Sequence, residues 1–368
     1  MKTRIIIISL FIAIALFSVA VIAILVQTSP LNPIAWIPPE PPQLTGALSQ
    51  NELLSTSEKV SLHGWQGPED IAIDKEGNIY TGVHEAGSFD SGVILKIDPE
   101  GNYSTFCNTD SWVLGLHFDK QGNLIACDSK RGLISINKEG DLTVLAQEDE
   151  HGNPILIPND VDIASNGMIY FSNSSSRVRF SMENVMKIIM EARSDGGLYR
   201  YNPETKQVTT LVDSSFFGNG VAVSRHDDFV LMVDLTKYRV LKYHLKGPKK
   251  GNTETFLDNL PGFPNGISRR PDGSFWLGFS TKRDTGLDRI HPQPYMKKLV
   301  YNLPKWAQPQ QVPYGMVMHL SESGEILNTF YDTKGKVVRE ASSIEEYDGH
   351  IYVGGDWATS IIKYKLGT

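Results

Sequence analysis

Four oxygen-bearing side chains recur at the same point of a repeated sequence phrase. Each stands directly before a short alternating apolar run that leads to a corner rich in Asp, Asn and Gly. They are Glu69, Asn159, Asn219 and Asn265. One carboxylate with three amide carbonyls is an all-oxygen ligand set, which suits a hard cation and not zinc. The pattern predicts a site for Ca²⁺ or another hard divalent cation; the alternative is that Asn before Gly only forms turns.

Four aspartates accompany these positions and have the chemistry for acid–base work. Asp70 and Asp160 directly follow two of the predicted ligands, whereas Asp128 and Asp234 each follow an apolar strand. A carboxylate near a cation can act as a general base or position a water molecule. We take Asp128 and Asp234 as candidate catalytic residues, with a capped strand end as the alternative for each. His84, at the end of a predicted strand, is a further candidate.

The elements that must position these side chains follow from the repeat itself. The run 67–80 opens with an apolar strand, turns at Glu76-Gly77-Asn78 and continues as a second apolar strand. Alternation interrupted by such a corner predicts a β-hairpin. Six copies at spacings of roughly 40–60 residues, each with repeated outer strands, indicate the blades of a propeller. The sequence therefore predicts an all-β, six-bladed β-propeller over residues 58–368, whose inner strands open towards one end of a central channel.

Two further features complete the predicted propeller. A short strand at 59–62 is expected to pair with the last strand, 360–365, so that no sheet edge stays open. A helix over 181–193, capped by Ser181, is inserted in blade 3, where we expect a lid over one end of the ring. The alternative is a helix that only covers strand ends. A second insertion, 284–311, lies within blade 5 and is rich in Pro and aromatic residues.

Residues 1–26 predict a transmembrane anchor. A short basic segment precedes an apolar run, 5–26, that is long enough to cross a bilayer. A cleaved signal peptide is the alternative, although its apolar region is usually shorter. Lys2 and Arg4 favour a cytoplasmic amino terminus, with the propeller on the periplasmic, extracellular or lumenal side. Residues 27–57 form a Pro-rich stalk, for which we expect extended backbone.

Composition excludes several classes of protein. The net charge of −7 argues against nucleic acid as the main partner. The two cysteines, Cys107 and Cys127, are too few for a disulfide scaffold and leave open either one bond or two free thiols. The sequence also lacks a Gly-x-Ser-x-Gly elbow, a Walker loop, a His-Glu-x-x-His motif and a dinucleotide-binding glycine fingerprint.

Long motifs in the second half of the chain resemble the strictosidine synthase-like family. They are the run 245–267, with Leu-Lys-Gly-Pro-Lys-Lys-Gly and Gly-Phe-Pro-Asn-Gly-Ile, and the run 275–283, Phe-Trp-Leu-Gly-Phe-Ser-Thr-Lys-Arg. The wider group includes gluconolactonases and paraoxonases. The resemblance implies a catalytic calcium at Glu69, Asn159, Asn219 and Asn265, and a second, structural calcium at Asp70 and Asp160. Ser342 stands where strictosidine synthase has its catalytic glutamate, so its carbon–nitrogen condensation is not expected.

These observations predict a membrane-anchored, calcium-dependent hydrolase of carboxylic esters or lactones. The cation would polarise the carbonyl while an acidic neighbour activates water. Trp276, Phe279 and the predicted lid helix favour a small, largely apolar substrate. The alternative is a non-catalytic, membrane-tethered binding or scaffold propeller, because a fold alone does not imply chemistry.

Overall fold

The computed structural model of the protein describes residues 2–367, with side chains from Arg4 onward. Met1 and Thr368, which the predicted anchor and propeller ranges include, lie outside the described residues, as does the side chain of Lys2. The chain divides into two compact units. The larger contains Glu40–Val185, Ser194–Arg283 and the chain from Val312 onward; the smaller contains the chain up to Pro39, Met186–Arg193 and Asp284–Gln311.

The larger unit consists of six four-stranded antiparallel sheets, which are the blades of a propeller. A separate strand, β1 (Glu58–Ser61), precedes blade 1, which contains β2 (Ile71–Ile73), β3 (Ile79–Glu85), β4 (Ser88–Ile97) and β5 (Tyr103–Asn108). Blade 2 contains β6 (Val113–Phe118), β7 (Leu124–Asp128), β8 (Gly132–Ile136) and β9 (Leu142–Ala146). Blade 3 contains β10 (Pro158–Ile163), β11 (Ile169–Asn173), β12 (Gly196–Asn202) and β13 (Gln207–Ser215).

The remaining blades follow the same order from the inner strand outward. Blade 4 contains β14 (Gly218–Val223), β15 (Phe229–Asp234), β16 (Arg239–His244) and β17 (Thr253–Leu257). Blade 5 contains β18 (Gly262–Arg269), β19 (Phe275–Lys282), β20 (Gly315–Leu320) and β21 (Ile326–Asp332). Blade 6 contains β22 (Ile344–Tyr347), β23 (His350–Val353) and β24 (Ser360–Lys365), and β1 is its outer strand.

The ring of blades is closed by strand pairing between the two ends of the propeller sequence. β1 pairs antiparallel with β24, with Glu58 opposite Lys363 and Ser61 opposite Ser360. The inner strands β2, β6, β10, β14, β18 and β22 contact one another in succession, and β22 contacts β2. The predicted six-bladed propeller and its closure are therefore confirmed.

The hairpin corners owe their shape to side-chain hydrogen bonds of Asp. In the first corner, Asp74 Oδ1 accepts the backbone N–H of Asn78 at 2.8 Å, and Oδ2 accepts its side-chain Nδ2–H at 2.7 Å. Gly77 adopts φ +85°, which favours glycine. Asp119 and Asn123 repeat both bonds in blade 2. Local chemistry therefore fixes the turns that the sequence predicted.

Apolar side chains fill the space between neighbouring blades. One core cluster combines Ile94 of blade 1 with Leu116 and Ile134 of blade 2. Cys107 belongs to the same cluster, and both Cys107 and Cys127 are buried and unbonded. The two thiols are therefore free and pack as small hydrophobic groups.

The helices lie at the amino terminus and in the two insertions. They are α1 (Lys2–Gln27), α2 (Met182–Glu191), α3 (Thr285–Ile290) and α4 (Pro294–Tyr301). Within α1, the stretch Arg4–Gln27 contains an 18-residue window with a mean hydropathy of 3.2 and is long and apolar enough to cross a membrane. α2 lies between β11 and β12 of blade 3, and Ser181 Oγ accepts the N–H of Asn184 at 3.1 Å, as predicted for its cap.

Candidate functional site

When the six inner strands are aligned, one residue of each blade falls at an equivalent position, either just before the strand or within its first four residues. These residues are Glu69, Leu114, Asn159, Asn219, Asn265 and Ser342. Glycines beside them allow the blades to approach closely: a Cβ atom on Gly220 would lie 2.5 Å from Asn265 O, and one on Gly266 would lie 2.2 Å from Ser342 O. Ser342 Oγ in turn donates to Glu69 O at 2.6 Å. The ring therefore places Asn159, Asn219 and Asn265 on the adjacent blades 3, 4 and 5, and Glu69 on blade 1, around one axis.

The predicted ligands are buried and their amide oxygens are unsatisfied. Glu69, Asn159, Asn219 and Asn265 are 3–6% exposed. No described donor reaches the buried Oδ1 atoms of the three asparagines. Asn265 Nδ2 donates to Ser280 Oγ at 2.7 Å, so Oδ1 is the unsatisfied end of that amide. A buried carbonyl without a partner costs about 1–3 kcal/mol, and a hard cation would provide one. The residues present therefore fit the predicted cation.

Unbalanced negative charge surrounds Glu69. Burial raises the pKa of Glu69 well above its usual range, and the carboxylates of Asp356, Asp70, Asp160 and Glu340 raise it further. Burial also raises the pKa of Asp356 to about 6. Such a potential favours a bound cation.

Asp356 and Glu340 belong to this acidic group, although the repeat in the sequence did not predict them. Both lie in irregular connections of blade 6, outside the repeated phrase. Glu340 Oε1 accepts the N–H of Trp357 at 2.5 Å, which fixes the two connections together. The pair Gly354-Gly355 before Asp356 is the signal that marks this close approach, since a Cβ on Gly355 would lie 3.1 Å from Glu340 Oε1.

Asp70 and Asp160 each connect the inner strand of their own blade to an inner strand of the next blade. Asp160 accepts the N–H of Val161 at 2.7 Å and that of Val221, in blade 4, at 2.6 Å. Asp70 makes the corresponding bonds to Ile71 and to Leu116 in blade 2, both at 2.8 Å. Burial raises the pKa of Asp70 to about 6 and that of Asp160 well above its usual range. These bonds give both carboxylates a structural role, and a second cation there stays a prediction.

A central cavity of about 340 Å³ runs along the inner strands. Glu69, Asp70, Asp160 and Asn219 line it, and further along it carries Asp162 and Glu345. Burial raises the pKa of Glu345 to about 8, with contributions from Asp70 and Asp162. His117 Nε2, which also lies on the wall, is 3.6 Å from Asp162 Oδ1. The cavity wall is therefore polar and strongly acidic.

Asp128 and Asp234 are held in ion pairs at the ends of β7 and β15. Asp128 Oδ2 lies 3.1 Å from Arg131 Nη1 and accepts the Ser111 hydroxyl at 2.6 Å. Asp234 Oδ2 accepts Nε–H and Nη2–H of Arg239, both at 2.8 Å. Both carboxylates are fully buried and neither lines the central cavity. The structure thus supports the capped-strand alternative for both residues, and their catalytic role stays a prediction.

His84 has an available ring nitrogen next to Gly67, two residues before Glu69 in the sequence. Its Nδ1 lies 2.7 Å from Glu85 O, so Nδ1 carries the proton and Nε2 is the acceptor. Nε2 is buried, accepts no bond from the described residues, and would lie 2.7 Å from a Cβ on Gly67. The backbone O of Asp356 lies 3.0 Å from that same point. Burial lowers the pKa of His84, which keeps the ring neutral.

Aromatic rings surround His84. Phe89 and Trp112 lie 4.5 and 5.0 Å from its ring, centroid to centroid. Phe180 lies 5.5 Å from Trp112, and Trp357, which is 48% exposed, lies 6.4 Å from Phe89. We call these four rings with His84 the aromatic cluster. It forms an apolar group that the sequence did not predict, because its members come from blades 1, 3 and 6 and from the connection between blades 1 and 2.

The aromatic residues that the sequence analysis placed near a substrate lie elsewhere. Trp276 and Phe279 are 2% and 0% exposed, and neither lines the central cavity. Trp276 packs against Phe330, and its Nε1–H donates to Glu346 at 2.7 Å. Both residues therefore belong to the core of blade 5 and its neighbour.

Metal clusters of the common acidic, His or Cys type are absent from residues 2–367. No three or more His, Cys, Asp or Glu side chains in this range are arranged to hold an ion. The predicted ligand set contains one Glu and three Asn, so it falls outside that type. Amide oxygens, not carboxylates, would make up most of the coordination.

Fold and site together define a class: six-bladed propellers with a buried acidic and amide ring in the central channel. The Strictosidine synthase family profile matches residues 159–248, and the profile for the amino-terminal region of strictosidine synthase-like proteins matches 46–97. The adipocyte plasma membrane-associated protein of Salmo salar is 31% identical over 366 residues, covering 92% of this chain and 85% of that protein. Strictosidine synthase-like protein 10 of Arabidopsis thaliana is 32% identical, covering 91% and 93%. The chain belongs to the strictosidine synthase-like family.

Solved structures share the fold at low identity. A gluconolactonase from Xanthomonas campestris superposes with a TM-score of 0.60 at 14% identity, covering 92% of this chain and 99% of that one. Regucalcin from Agrobacterium tumefaciens, described as a calcium-binding protein, gives 0.56 at 13% identity, covering 84% and 93%. These similarities confirm the propeller fold.

Proposed function

We propose that the protein is a membrane-anchored hydrolase of carboxylic esters or lactones that requires Ca²⁺ or another hard divalent cation. The observation that carries this proposal is the set of three buried, unsatisfied amide oxygens on Asn159, Asn219 and Asn265, beside the carboxyl group of Glu69. The names of the structural neighbours, a gluconolactonase and a calcium-binding regucalcin, support the substrate class and the cation.

The four ligands would hold the cation by oxygen atoms alone. When bound, it polarises the substrate carbonyl and stabilises the negative charge that develops on the carbonyl oxygen. Glu69 supplies the single formal charge of the ligand set, and its raised pKa means that metal binding releases its proton. The asparagines keep the set nearly neutral, while Asp70, Asp160 and Asp356 add attraction from outside it.

A second group must activate water, and His84 is better placed for this than the predicted Asp128 and Asp234. Its neutral Nε2 can take a proton from water, while Nδ1–H stays bonded to Glu85 O. Either aspartate would first have to leave its arginine. The aromatic cluster beside His84 supports a small, largely apolar substrate.

Membrane anchoring is part of this proposal. The stretch Arg4–Gln27 has the length and hydropathy of a membrane span, and the animal relatives are named as membrane-associated proteins. Arg4, with Lys2 before it in the sequence, favours a cytoplasmic amino terminus and an extracytoplasmic propeller. A cysteine added at the amino terminus should resist a membrane-impermeant thiol reagent in intact cells, and one added at the carboxyl terminus should react.

A non-catalytic binding propeller is the second candidate function. The ion pairs of Asp128 and Asp234 favour it, because they remove both acids that the sequence offered for catalysis. In that case the same cation site would hold a ligand or stabilise the ring without turnover.

The deciding experiment uses the full-length protein in lipid nanodiscs and a panel of aryl esters and lactones. After chelation, calcium is titrated back and hydrolysis is followed for the wild type, for Asn159→Ala and for the exposed control Asn328→Ala. Calcium-dependent turnover in the wild type and the control, lost in Asn159→Ala, is the expected result. A folded protein that binds calcium and hydrolyses none of the panel would favour the binding propeller.

A further inference from the structure

The second insertion reaches the end of the apolar helix α1. Asn302, the residue that follows α4, donates its Nδ2–H to Leu25 O at 2.7 Å and lies 3.3 Å from Thr28 Oγ1. The last four carbonyls of a helix have no donor within the helix, so Asn302 satisfies one of those of α1. Because α1 ends at Gln27, α4 lies where a membrane span would emerge from the bilayer.

Large aromatic side chains are exposed on this insertion. Trp306 is 85% exposed, the highest value among the large hydrophobic side chains that the structure describes, and Tyr295 is 57% exposed. Ile37, in the predicted stalk, is 80% exposed. Lys298 and Lys305 lie in the same segment as the two aromatic residues. Trp and Tyr with nearby lysines are typical of the boundary between lipid and water.

The segment that presents these side chains is fixed by buried polar contacts within the smaller unit. Lys297 is fully buried and donates from Nζ to Ile34 O at 2.8 Å. Glu191 Oε1 accepts the N–H of Asn32 at 2.7 Å, and Glu191 O accepts the N–H of Ile34 at 3.0 Å. The first part of the stalk is therefore bound to the end of α2 and to the middle of α4, and these bonds fix α4, the helix that carries Tyr295.

We propose that Tyr295 and Trp306 insert into the interfacial layer of the bilayer that α1 spans, so that lipid headgroups are the partner of this face. This inference rests on the membrane anchoring proposed above. Lipid is the occupant because the face continues directly from an apolar helix of which no part of the spanning window is buried. The lysines would lie among the headgroups, and anionic lipid would strengthen the contact.

The test places a fluorescent label at single cysteines of the full-length protein. Both native thiols are buried, so an NBD reagent should react with an introduced cysteine. Trp306→Cys and Tyr295→Cys report on the proposed contact, and Gln27→Cys, at the end of α1, reports on the anchor alone. Each variant is reconstituted in phosphatidylcholine–phosphatidylserine nanodiscs with and without nitroxide-labelled headgroups.

The proposal expects quenching at positions 306 and 295 at least half as strong as at position 27. Quenching at 27 with none at 306 or 295 would overturn it while leaving the anchor in place. No quenching at any of the three would refute membrane anchoring itself, and the proposal with it. Labelling Trp306→Cys and Tyr295→Cys separately guards against one variant that fails to fold.

Discussion

The carboxylate of Asp160 accepts the backbone N–H of Val221 at 2.6 Å, across the boundary between blades 3 and 4. Its other oxygen accepts the N–H of Val161 within its own strand. Replacing Asp160 by Ala leaves two inner-strand amides without a partner, so we expect the free energy of unfolding to fall by about 2–4 kcal/mol. Urea unfolding would measure this loss. Asp160→Asn keeps acceptor capacity and should lose less, whereas Asp90→Ala, at an exposed position, should lose almost nothing; equal losses in all three would contradict the role.

Calcium should stabilise the folded protein through the three orphaned amides. At a concentration 100 times the dissociation constant, binding adds about 2.7 kcal/mol to the free energy of unfolding. Asn219→Ala removes one ligand and one unsatisfied carbonyl, so it should abolish the calcium-induced rise in Tm without lowering the Tm of the chelated protein. Differential scanning calorimetry with and without EDTA measures both values. A calcium response retained in both Asn219→Ala and Asn159→Ala would place the cation elsewhere.

The chelated protein should lose stability as the pH rises. Asp70 and Asp356 have a folded-state pKa of about 6, and Glu345 has one of about 8, all above their unfolded values near 4. Between these limits the folded state binds more protons than the unfolded state, so the free energy of unfolding decreases by about 1.4 kcal/mol per unit of pKa shift. Urea unfolding from pH 4 to pH 8.5 should show the decline. Saturating calcium should make this decline smaller, because the cation favours ionised Glu69. A free energy of unfolding that rises with pH in the chelated protein would refute the raised pKa values of these carboxyl groups.

Asp234 and Arg239 should behave as one structural unit. If their ion pair only fixes the end of β15, Asp234→Asn and Arg239→Ala should lower Tm to a similar extent and reduce activity in parallel with the folded fraction. If Asp234 is instead the general base, the two variants should have a similar Tm but differ in activity. Asp234→Asn should then be inactive, and Arg239→Ala should stay active. Thermal unfolding and initial rates on the same samples distinguish the two outcomes.

His84 should be needed for turnover and not for calcium binding. Because Nε2 is the available acceptor, His84→Gln should reduce kcat by about 10²-fold or more while the calcium-induced rise in Tm is preserved. The wild-type pH–rate profile should keep its plateau down to pH values below the usual pKa of histidine, because burial lowers the pKa of His84. An unchanged kcat in a folded His84→Gln variant would exclude His84 as the base.

The repeat explains how far sequence reasoning could go. Asn159, Asn219 and Asn265 fall in phase with the hairpin corners, and a closed ring must bring equivalent positions to its axis, so spacing alone predicted their neighbourhood. Asp356 and Glu340 lie in connections that do not repeat, and the aromatic cluster combines side chains from several strands and connections, so their proximity depends on which blades meet. Trp276 lies in the core of blade 5. The sequence could not show this, because an aromatic residue next to an inner strand gives the same pattern whether its side chain faces the channel or the core.

The pairing of β1 with β24 has a consequence for biogenesis. β1 is translated before the strands of every blade, but its partner β24 is translated after all of them, so blade 6 cannot form until β24 has been made. Until then β1 keeps an unpaired edge, which makes this stage of synthesis the one most exposed to misassembly. Loss of the residues from Ile361 onward would therefore remove most of β24 and leave the propeller ring unclosed. We expect cellular quality control to degrade such a truncated chain before its activity matters.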